Sequence, residues 1–493
     1  MPDKFLHHRN LSVFIWVFIA LNITFAYYQA TFFWGNHDWD WIKGTTQVLS
    51  LDTGLFEGRY AKFILNVILF GGQVLPLLNT QVAFALLALG TTLLTEYWQI
   101  QKASSRLIVA LMPALAPFIL GWLYFPINIL GNFATIPLVC SGLILAEKKA
   151  LKYKIAAVIC FLIALGVYPS VMEMIVVCWC AHNILIPQET LKKLIPSALT
   201  ILLSLLMFKL LLTILSHANI IYSGHYNMQT ATISEMLQRL PQTIIYAGKQ
   251  LWITLPFFPE EFRVIGIGLL LIAIITSIRQ PVNLLFWIVA LGATILSIFL
   301  TAVPEEVAYM PRVNFYGVNY LYTAAAAVLL NQKGGWRNAG LTLSLLFIFI
   351  SINQNFYAQK VWHFGKIAEE KLAERLNGRV EEKAAQFPLT PIIAGELPLR
   401  SRYYKEKYQY ASPYILNTAF IVRHIPSGML NFYMPHPLFT PNAQITEISP
   451  ELYRYLKNAI YSYPAEESIY VDDVYAIFLL TKEGIKAIQA QLP

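Results

Sequence analysis

The chain has 493 residues, of which 57% are hydrophobic and only 13% are charged, with a formal net charge of +8. Soluble domains carry about 25% charged residues, so this composition excludes an ordinary water-soluble enzyme. The net charge is too small for a nucleic-acid-binding protein of this length. Residues 353–493 are about 21% charged and residues 1–352 about 10%. This contrast predicts two domains, a transmembrane domain over 1–353 and an extracytoplasmic α/β domain over 354–493.

Eleven apolar stretches approach the length needed to cross a bilayer, about 20 residues. They predict transmembrane helices over 11–33, 81–98, 106–123, 128–146, 154–168, 170–187, 194–216, 261–278, 283–301, 318–332 and 338–353. The fold class that follows is a polytopic α-helical membrane protein. All four cysteines lie inside these stretches, where a thiol packs as a small apolar group.

Basic residues mark the short loops between alternate spans, from Lys102 to Arg337. The positive-inside rule then places the N-terminus and these loops in the cytoplasm, with residues 354–493 outside. Residues 60–78 are also apolar, but a further crossing there would put every later basic loop on the wrong side. We therefore expect an interfacial or re-entrant helix over 60–78, the alternative being a short span that leaves Lys102 outside.

The first external loop carries two acidic residues directly after a span. Asp38 and Asp40 alternate with Trp39 and Trp41 in the sequence H-D-W-D-W. Carboxylates close to hydrocarbon are expensive and usually functional, and partial desolvation raises a carboxyl pKa toward the range of a general base. We expect one of the two aspartates to be catalytic, the alternative being solvated loop residues. The tryptophans are candidate substrate contacts, although such residues are also typical of a membrane interface.

Two arginines are candidate ligands of a phosphate group. Arg59 lies in F-E-G-R-Y, and Arg312 in the loop 302–317 near the start of a span. A guanidinium can bind phosphate through two hydrogen bonds at once. Anchoring to lipid headgroups is the alternative for both. The further candidates for substrate binding are Glu57, Tyr60, Lys62, Tyr168, His225 and Asn314.

No metal-binding motif is present. His37, Asp38, Asp40 and His225 are of ligand-forming types, but their spacing matches no established pattern. We assign no metal and no certain cofactor, with a divalent ion as the alternative.

The C-terminal segment combines helical and strand patterns. Helical spacing covers 360–386 and the region of 450–461, and strand-like runs cover 390–394, 414–422, 468–472 and 475–480. Asp472 and Asp473 close a strand without an accompanying nucleophile and base. This segment is expected to be a lid or an acceptor-binding surface.

The order of four short motifs resembles the GT-C glycosyltransferases. They are D-W-D after the first span, G-R-Y in the same loop, Y-P-S at 168–170 and P-R at 311–312. Within that class the chain resembles the bacterial O-antigen-modifying glucosyltransferases of the GtrII type, over residues 10–350. The resemblance implies a GT-C-like fold in the bacterial inner membrane.

The same resemblance implies inverting transfer of a hexose, glucose-type, from a polyprenyl-phosphate donor to a glycan or lipid-linked acceptor at the periplasmic face. Asp38 or Asp40 would deprotonate the acceptor, and Arg59 or Arg312 would meet the donor phosphate. The implied partners are the donor, the acceptor and membrane lipids, with no nucleic acid.

Three other classes remain open. An O-antigen polymerase or ligase would share the location, but arginine-rich external loops would be expected of it. A lipid-linked-sugar transporter would place ionisable groups near the bilayer midplane, for which Glu173 and Lys209 are the candidates. A scaffold protein would leave D-W-D and the two arginines unexplained.

Overall fold

A computed structural model describes residues 8–31, 59–65, 75–186, 194–220, 260–278, 280–295, 311–395, 438–440 and 448–492, with a few isolated residues between them. The described part is mostly helical. Five of its helices are long and apolar enough to cross a membrane: Pro76–Tyr97, Ala103–Leu123, Pro126–Ala146, Ile195–His217 and Gly335–Lys360. These features indicate a membrane-embedded, mainly helical protein.

The helices of the bundle follow the apolar stretches of the sequence. They are α1 His8–Thr24, α2 Ala26–Ala30, α3 Tyr60–Phe63, α4 Pro76–Tyr97, α5 Ala103–Leu115, α6 Leu120–Leu123, α7 Pro126–Ala146, α8 Leu151–Val167, α9 Val171–Leu185, α10 Ile195–His217, α11 Glu260–Ser277, α12 Pro281–Ala293, α13 Pro311–Tyr316, α14 Val318–Leu330 and α15 Gly335–Glu381. Each predicted span overlaps one or more of them. That all of them cross the membrane, eleven times in total, stays a prediction. Of the expected re-entrant helix over 60–78, the structure describes α3 and the start of α4.

Helix α14 lies at the centre of the bundle. Every residue from Val318 to Leu330 is buried, and the helix packs against α5, α9, α11 and α15. A second group of helices consists of α4, α7 and α8, which pack side by side. Gly90 of α4 lies against Ile136 and Gly142 of α7 lies against Phe161, with no room for a Cβ at either glycine. Small residues at such crossings let membrane helices approach closely.

The cysteines are part of this packing. Cys140, Cys178 and Cys180 are buried, Cys160 is half-buried, and all four thiols are free. The interpretation of the cysteines as packing residues is confirmed.

Two prolines interrupt α5 and the turn that follows it. Because Pro117 has no N–H, the carbonyl of Pro113 lacks its usual helical donor. Asn319 of α14 donates to this carbonyl from Nδ2 at 3.2 Å. Asn355 of α15 donates to the neighbouring carbonyl of Leu115 at 2.7 Å. Buried asparagines therefore satisfy the carbonyls that the break leaves open, and they tie α5 to the two helices beside it.

Replacing Asn355 by alanine removes the donor to a buried carbonyl. We predict a loss of about 1–3 kcal/mol in the free energy of unfolding, because an unsatisfied buried acceptor costs that much. Thermal unfolding in detergent can be followed with a thiol-reactive dye, since the buried cysteines react only when exposed. Asn353→Ala is the matched control: Asn353 is exposed on the same helix and bonds to its own helix, at Phe349 O. Equal melting temperatures for the two variants would contradict the prediction.

Helix α15 extends well beyond the expected membrane domain. The domain boundary that we predicted at residue 353 falls inside this helix, and the division into two domains stays a prediction. Beyond the helix, a three-stranded sheet has the order β1-β3-β2, with β1 Thr390–Ala394, β2 Ile469–Val471 and β3 Tyr475–Leu479. Strand β1 is parallel to β3 and β2 is antiparallel to it. Three of the predicted strands are therefore present, and 414–422 lies outside the described residues.

Strand β3 is buried on both faces. Ala476 and Phe478 belong to an apolar cluster with Leu376 near the end of α15. Residues on the other face, Ile477 among them, pack on α16 Pro450–Asn458 and α17 Lys482–Gln489. Ile127, at the start of α7, belongs to the same cluster as Leu376. The C-terminal sheet therefore packs against the bundle at the end where α7 begins.

Asp472 has a structural role in the turn between β2 and β3. Its Oδ1 accepts hydrogen bonds from the backbone N–H groups of Val474, at 2.8 Å, and Tyr475, at 2.6 Å. This is the turn chemistry for which aspartate is favoured.

Candidate functional site

The described candidate residues lie at one end of the bundle. Helices α7 and α8 are packed neighbours joined by the short basic loop 147–150, so the start of α7 and the end of α8 lie together at the opposite end. Helix α3 packs on α8, and α13 packs on α6 and α9. We call this the site end of the bundle. By the positive-inside rule it is the end expected to face outward.

Arg59 and Tyr168 form the clearest contact at the site end. The guanidinium carbon of Arg59 lies 5.2 Å from the centroid of the Tyr168 ring. Tyr168 is only 8% exposed, so this cation–π contact is formed in a poorly hydrated place, where it is strongest. The sequence predicted both residues as site residues, and the structure brings them together.

Tyr60 anchors the short helix α3 to α8. Its hydroxyl donates to Leu162 O at 2.7 Å, and its ring occupies the space beside Gly166 where a Cβ would otherwise lie. A helix of four residues is not stable alone, so this anchor determines where Arg59 and Lys62 lie. Tyr60 thus positions helix α3 on α8. Its contact with a substrate stays a prediction.

We predict that Gly166→Ala displaces Tyr60 and with it Arg59. The added methyl group would overlap the Tyr60 ring, at a cost of about 1–3 kcal/mol of stability for overpacking. A shift of α3 should also lower activity by about tenfold to a hundredfold, since misplacement of a binding group costs that much. Gly292→Ala in α12 is the control, because a Cβ there meets no atom within 4 Å. Comparable stability and activity for the two variants would show that the Tyr60 anchor is unimportant.

Lys62 contributes a second positive charge from the same turn of chain. Lys62 is only 3% exposed, and a lysine is rarely buried unless it is paired or functional. Arg59 and Lys62 are three residues apart, so both charges enter the site end from one element. Such a pair is suited to an anionic group.

An aromatic cluster surrounds Tyr168. The rings of Trp122 and Tyr168 lie 4.8 Å apart at 89°, and those of Tyr168 and Tyr316 lie 5.9 Å apart at 30°. Trp122 is 1% exposed, and its indole Nε1 has no hydrogen-bond partner in the described part of the chain. An unsatisfied buried donor costs about 1–3 kcal/mol. The arrangement therefore places three packed aromatic rings beside an indole N–H that has no partner among the described residues.

Helix α13 brings the late loop to the same cluster. It carries Tyr316, whose hydroxyl lies 3.2 Å from Thr135 Oγ1. Asn314 on this helix is 3% exposed, and its Oδ1 makes no hydrogen bond within the described residues. The backbone of Arg312 lies in the first turn of α13, and its side chain is outside the described part. Two predicted residues of this loop thus belong to an element at the site end.

Glu173 is a buried acid at the site end that we did not predict as a site residue. It lies in the first turn of α9 and is fully buried. Its Oε2 lies 2.5 Å from the position that a Cβ of Gly317 would take. Gly317 precedes α14, so the carboxylate lies at a helix N-terminus, where the helix dipole favours negative charge. Any side chain at residue 317 would displace it.

Sequence reasoning missed Trp122 and Tyr316, and it named Glu173 only as a candidate for the transporter alternative. Each of the three lies in or beside an apolar run. Aromatic residues are common in such runs, and a single acid there suggests an ionisable group near the membrane midplane. One sequence signal could have placed Glu173 at the site: it follows the Y-P-S turn by only three residues.

Several predicted residues lie outside the described part of the chain. They are Asp38, Trp39, Asp40, Trp41, Glu57 and His225, together with His37. Among the residues that are described, no group of three His, Cys, Asp or Glu side chains is placed to hold a metal ion.

Comparison with known protein families found no family that matches the chain, and comparison with curated proteins found no relative.

Proposed function

We propose that the protein is a membrane glycosyltransferase. It moves a hexose, glucose-type, from a polyprenyl-phosphate donor to a glycan or lipid-linked acceptor. The observation that carries the proposal is the cation–π contact of Arg59 with the buried Tyr168, with Lys62 on the same turn, at the bundle end opposite the basic loops. This end faces the periplasm of a bacterial inner membrane in the proposal, and the sheet beyond α15 belongs to a periplasmic domain.

The positive charges act on the donor phosphate. Arg59 binds two phosphate oxygens through its planar donors, and Arg312, on the helix that also carries Tyr316, is the second phosphate ligand. Negative charge grows on the phosphate as the sugar leaves. Fixed positive groups in a poorly hydrated site stabilise that change most strongly, because no solvent must reorganise.

The aromatic cluster acts on the sugar. Trp122, Tyr168 and Tyr316 present ring faces to the apolar side of a hexose, and the indole N–H of Trp122 and the amide oxygen of Asn314 pair with its hydroxyl groups. Buried polar atoms that lack partners among the described residues are groups that a ligand can satisfy. Tyr60 and Lys62 are further substrate contacts in the proposal.

One of Asp38 and Asp40 is the base. It accepts the proton of the acceptor hydroxyl, whose oxygen bonds to the anomeric carbon from the face opposite the phosphate. The bond between that carbon and the phosphate oxygen breaks, and polyprenyl phosphate leaves with the electron pair. A single displacement of this kind inverts the configuration at the anomeric carbon.

A lipid-linked-sugar transporter is less well supported. Transporters place ionisable groups near the bilayer midplane. Glu173 lies instead in the first turn of α9, which leaves Lys209, on the exposed side of α10, as the candidate within a span. An O-antigen polymerase or ligase is the remaining alternative.

Product analysis in proteoliposomes tests the proposal against both alternatives. Purified protein is reconstituted with polyprenyl-phosphate glucose and a lipid-linked glycan acceptor, and the acceptor is analysed by mass spectrometry. A transferase adds the mass of one hexose and releases polyprenyl phosphate. Joining of whole glycan units would support a polymerase or ligase, and movement of unconsumed donor between leaflets would support a transporter.

A further inference from the structure

Helix α16 presents a polar face on the C-terminal sheet. Leu452 and Leu456 are buried against the sheet, whereas Arg454 is exposed on the opposite side. Two open cavities of about 540 and 440 Å³ lie along this exposed face. Arg454 and Asn458 line both cavities, and we call the two cavities together the α16 groove.

The segment that follows α16 is held in place although its side chains are exposed. Gln489 of α17 donates from Nε2 to Leu456 O at 2.9 Å and to Ala459 O at 3.1 Å. These bonds cap carbonyls at the end of α16 and fix the segment that follows it. Ile460 is 68% exposed and Tyr461 is 54% exposed. Their exposure is therefore a feature of an ordered wall of the groove.

A second aromatic residue is fixed at the floor of the groove. Tyr455 donates from its hydroxyl to Glu467 O at 2.9 Å, and its ring stacks on that of Tyr470 at 4.8 Å. Burial raises the pKa of Tyr455, so its hydroxyl stays a donor at neutral pH. Arg379 of α15 donates to the carbonyl of Ala465 at 3.2 Å and holds the same loop from the other side. The groove is preorganised, which lowers the entropy cost of binding.

The charges that line the α16 groove balance. Arg454 and Lys457 are opposed by Glu451 and Glu467. A nucleic-acid or anionic-polymer site would carry an excess of basic residues. Tyrosine faces among balanced donors and acceptors match a ligand that is neutral and rich in hydroxyl groups, with apolar faces on its rings.

We propose that the α16 groove binds a neutral oligosaccharide segment of the glycan acceptor. The identification of that segment as the acceptor rests on the proposed glycosyltransferase function. The groove lies in the unit that packs on the bundle near Ile127, at the same end as Tyr168. It holds the acceptor chain by a part remote from the reacting hydroxyl.

The test measures oligosaccharide binding to the full-length protein in detergent, without any donor. The probes are maltotetraose, cellotetraose and mannotetraose at millimolar concentration, followed by saturation-transfer NMR and titration calorimetry. At least one tetrasaccharide is expected to bind, and Tyr461→Ala and Arg454→Ala are expected to weaken it by about fivefold to tenfold. Lys486→Ala and Val474→Ala are matched controls, since both residues are exposed on this unit and line neither cavity.

The outcomes separate this inference from the proposed function. If no tetrasaccharide binds, or if Tyr461→Ala and Arg454→Ala bind as wild type does, the inference is wrong. If binding is lost in these two variants but wild type transfers no sugar, the groove stands and the transferase proposal fails. In an active enzyme, Tyr461→Ala should raise KM for the acceptor and leave kcat unchanged, because a remote contact binds ground state and transition state alike.

Discussion

Asp38→Asn or Asp40→Asn, whichever removes the base, is expected to lower kcat by about 10²–10⁴-fold. Asparagine keeps the size of the side chain but cannot accept the proton of the acceptor hydroxyl. Binding of the donor should change little, because the donor phosphate is assigned to the arginines. The variant of the second aspartate should retain most of its activity.

Initial rates of sugar transfer at saturating donor and acceptor measure this effect. Folding of each variant is checked by thermal unfolding with the thiol-reactive dye. Asp473→Asn, in the exposed turn between β2 and β3, controls for loss of a carboxylate elsewhere. Near-normal rates for both loop variants would remove the catalytic assignment, while the helical fold would stand.

Arg59→Ala is expected to lower kcat/KM by about 10²–10³-fold. The estimate follows from the loss of one preorganised group that stabilises charge in a transition state. Arg59→Lys should fall between this variant and wild type, because lysine keeps the charge but loses the planar pair of donors and the stacking on Tyr168. The expected order of activity is wild type, lysine, alanine.

Binding of polyprenyl phosphate alone separates this role from a general loss of structure. Arg59→Ala should weaken that binding, and Arg375→Ala, at an exposed position on α15, should leave it unchanged. Equal binding by wild type and Arg59→Ala would mean that Arg59 is a headgroup anchor and not a phosphate ligand.

Every predicted span overlaps a described helix, because a long apolar run that ends at charged or proline-containing residues favours a helix. Helix α13, by contrast, lies within the predicted loop 302–317. Strands β1, β2 and β3 were also predicted, since their apolar residues form short uninterrupted runs between turn residues. The predicted domain boundary at residue 353 does not coincide with the end of a helix. Composition changes there, but α15 continues through it, because its charged half also has helical spacing.

The candidate site was predictable only in part. Arg59, Tyr168 and Asn314 carry polar or aromatic groups between the apolar runs of the sequence, which is a local signal. The contact between Arg59 and Tyr168 joins elements far apart in the chain, and so does that between Tyr168 and Tyr316. Trp122 is indistinguishable in sequence from a lipid-facing aromatic. Only the tertiary packing of α6, α8 and α13 makes it part of the site.

The most direct test of the central claim is the stereochemistry of transfer by purified wild-type protein. A polyprenyl-phosphate hexose of known anomeric configuration is supplied with a glycan acceptor, and the new linkage is assigned by NMR. The account predicts transfer of the hexose with inversion at the anomeric carbon. Retention of configuration would contradict the single-displacement mechanism, and a donor that is never consumed would contradict the glycosyltransferase itself.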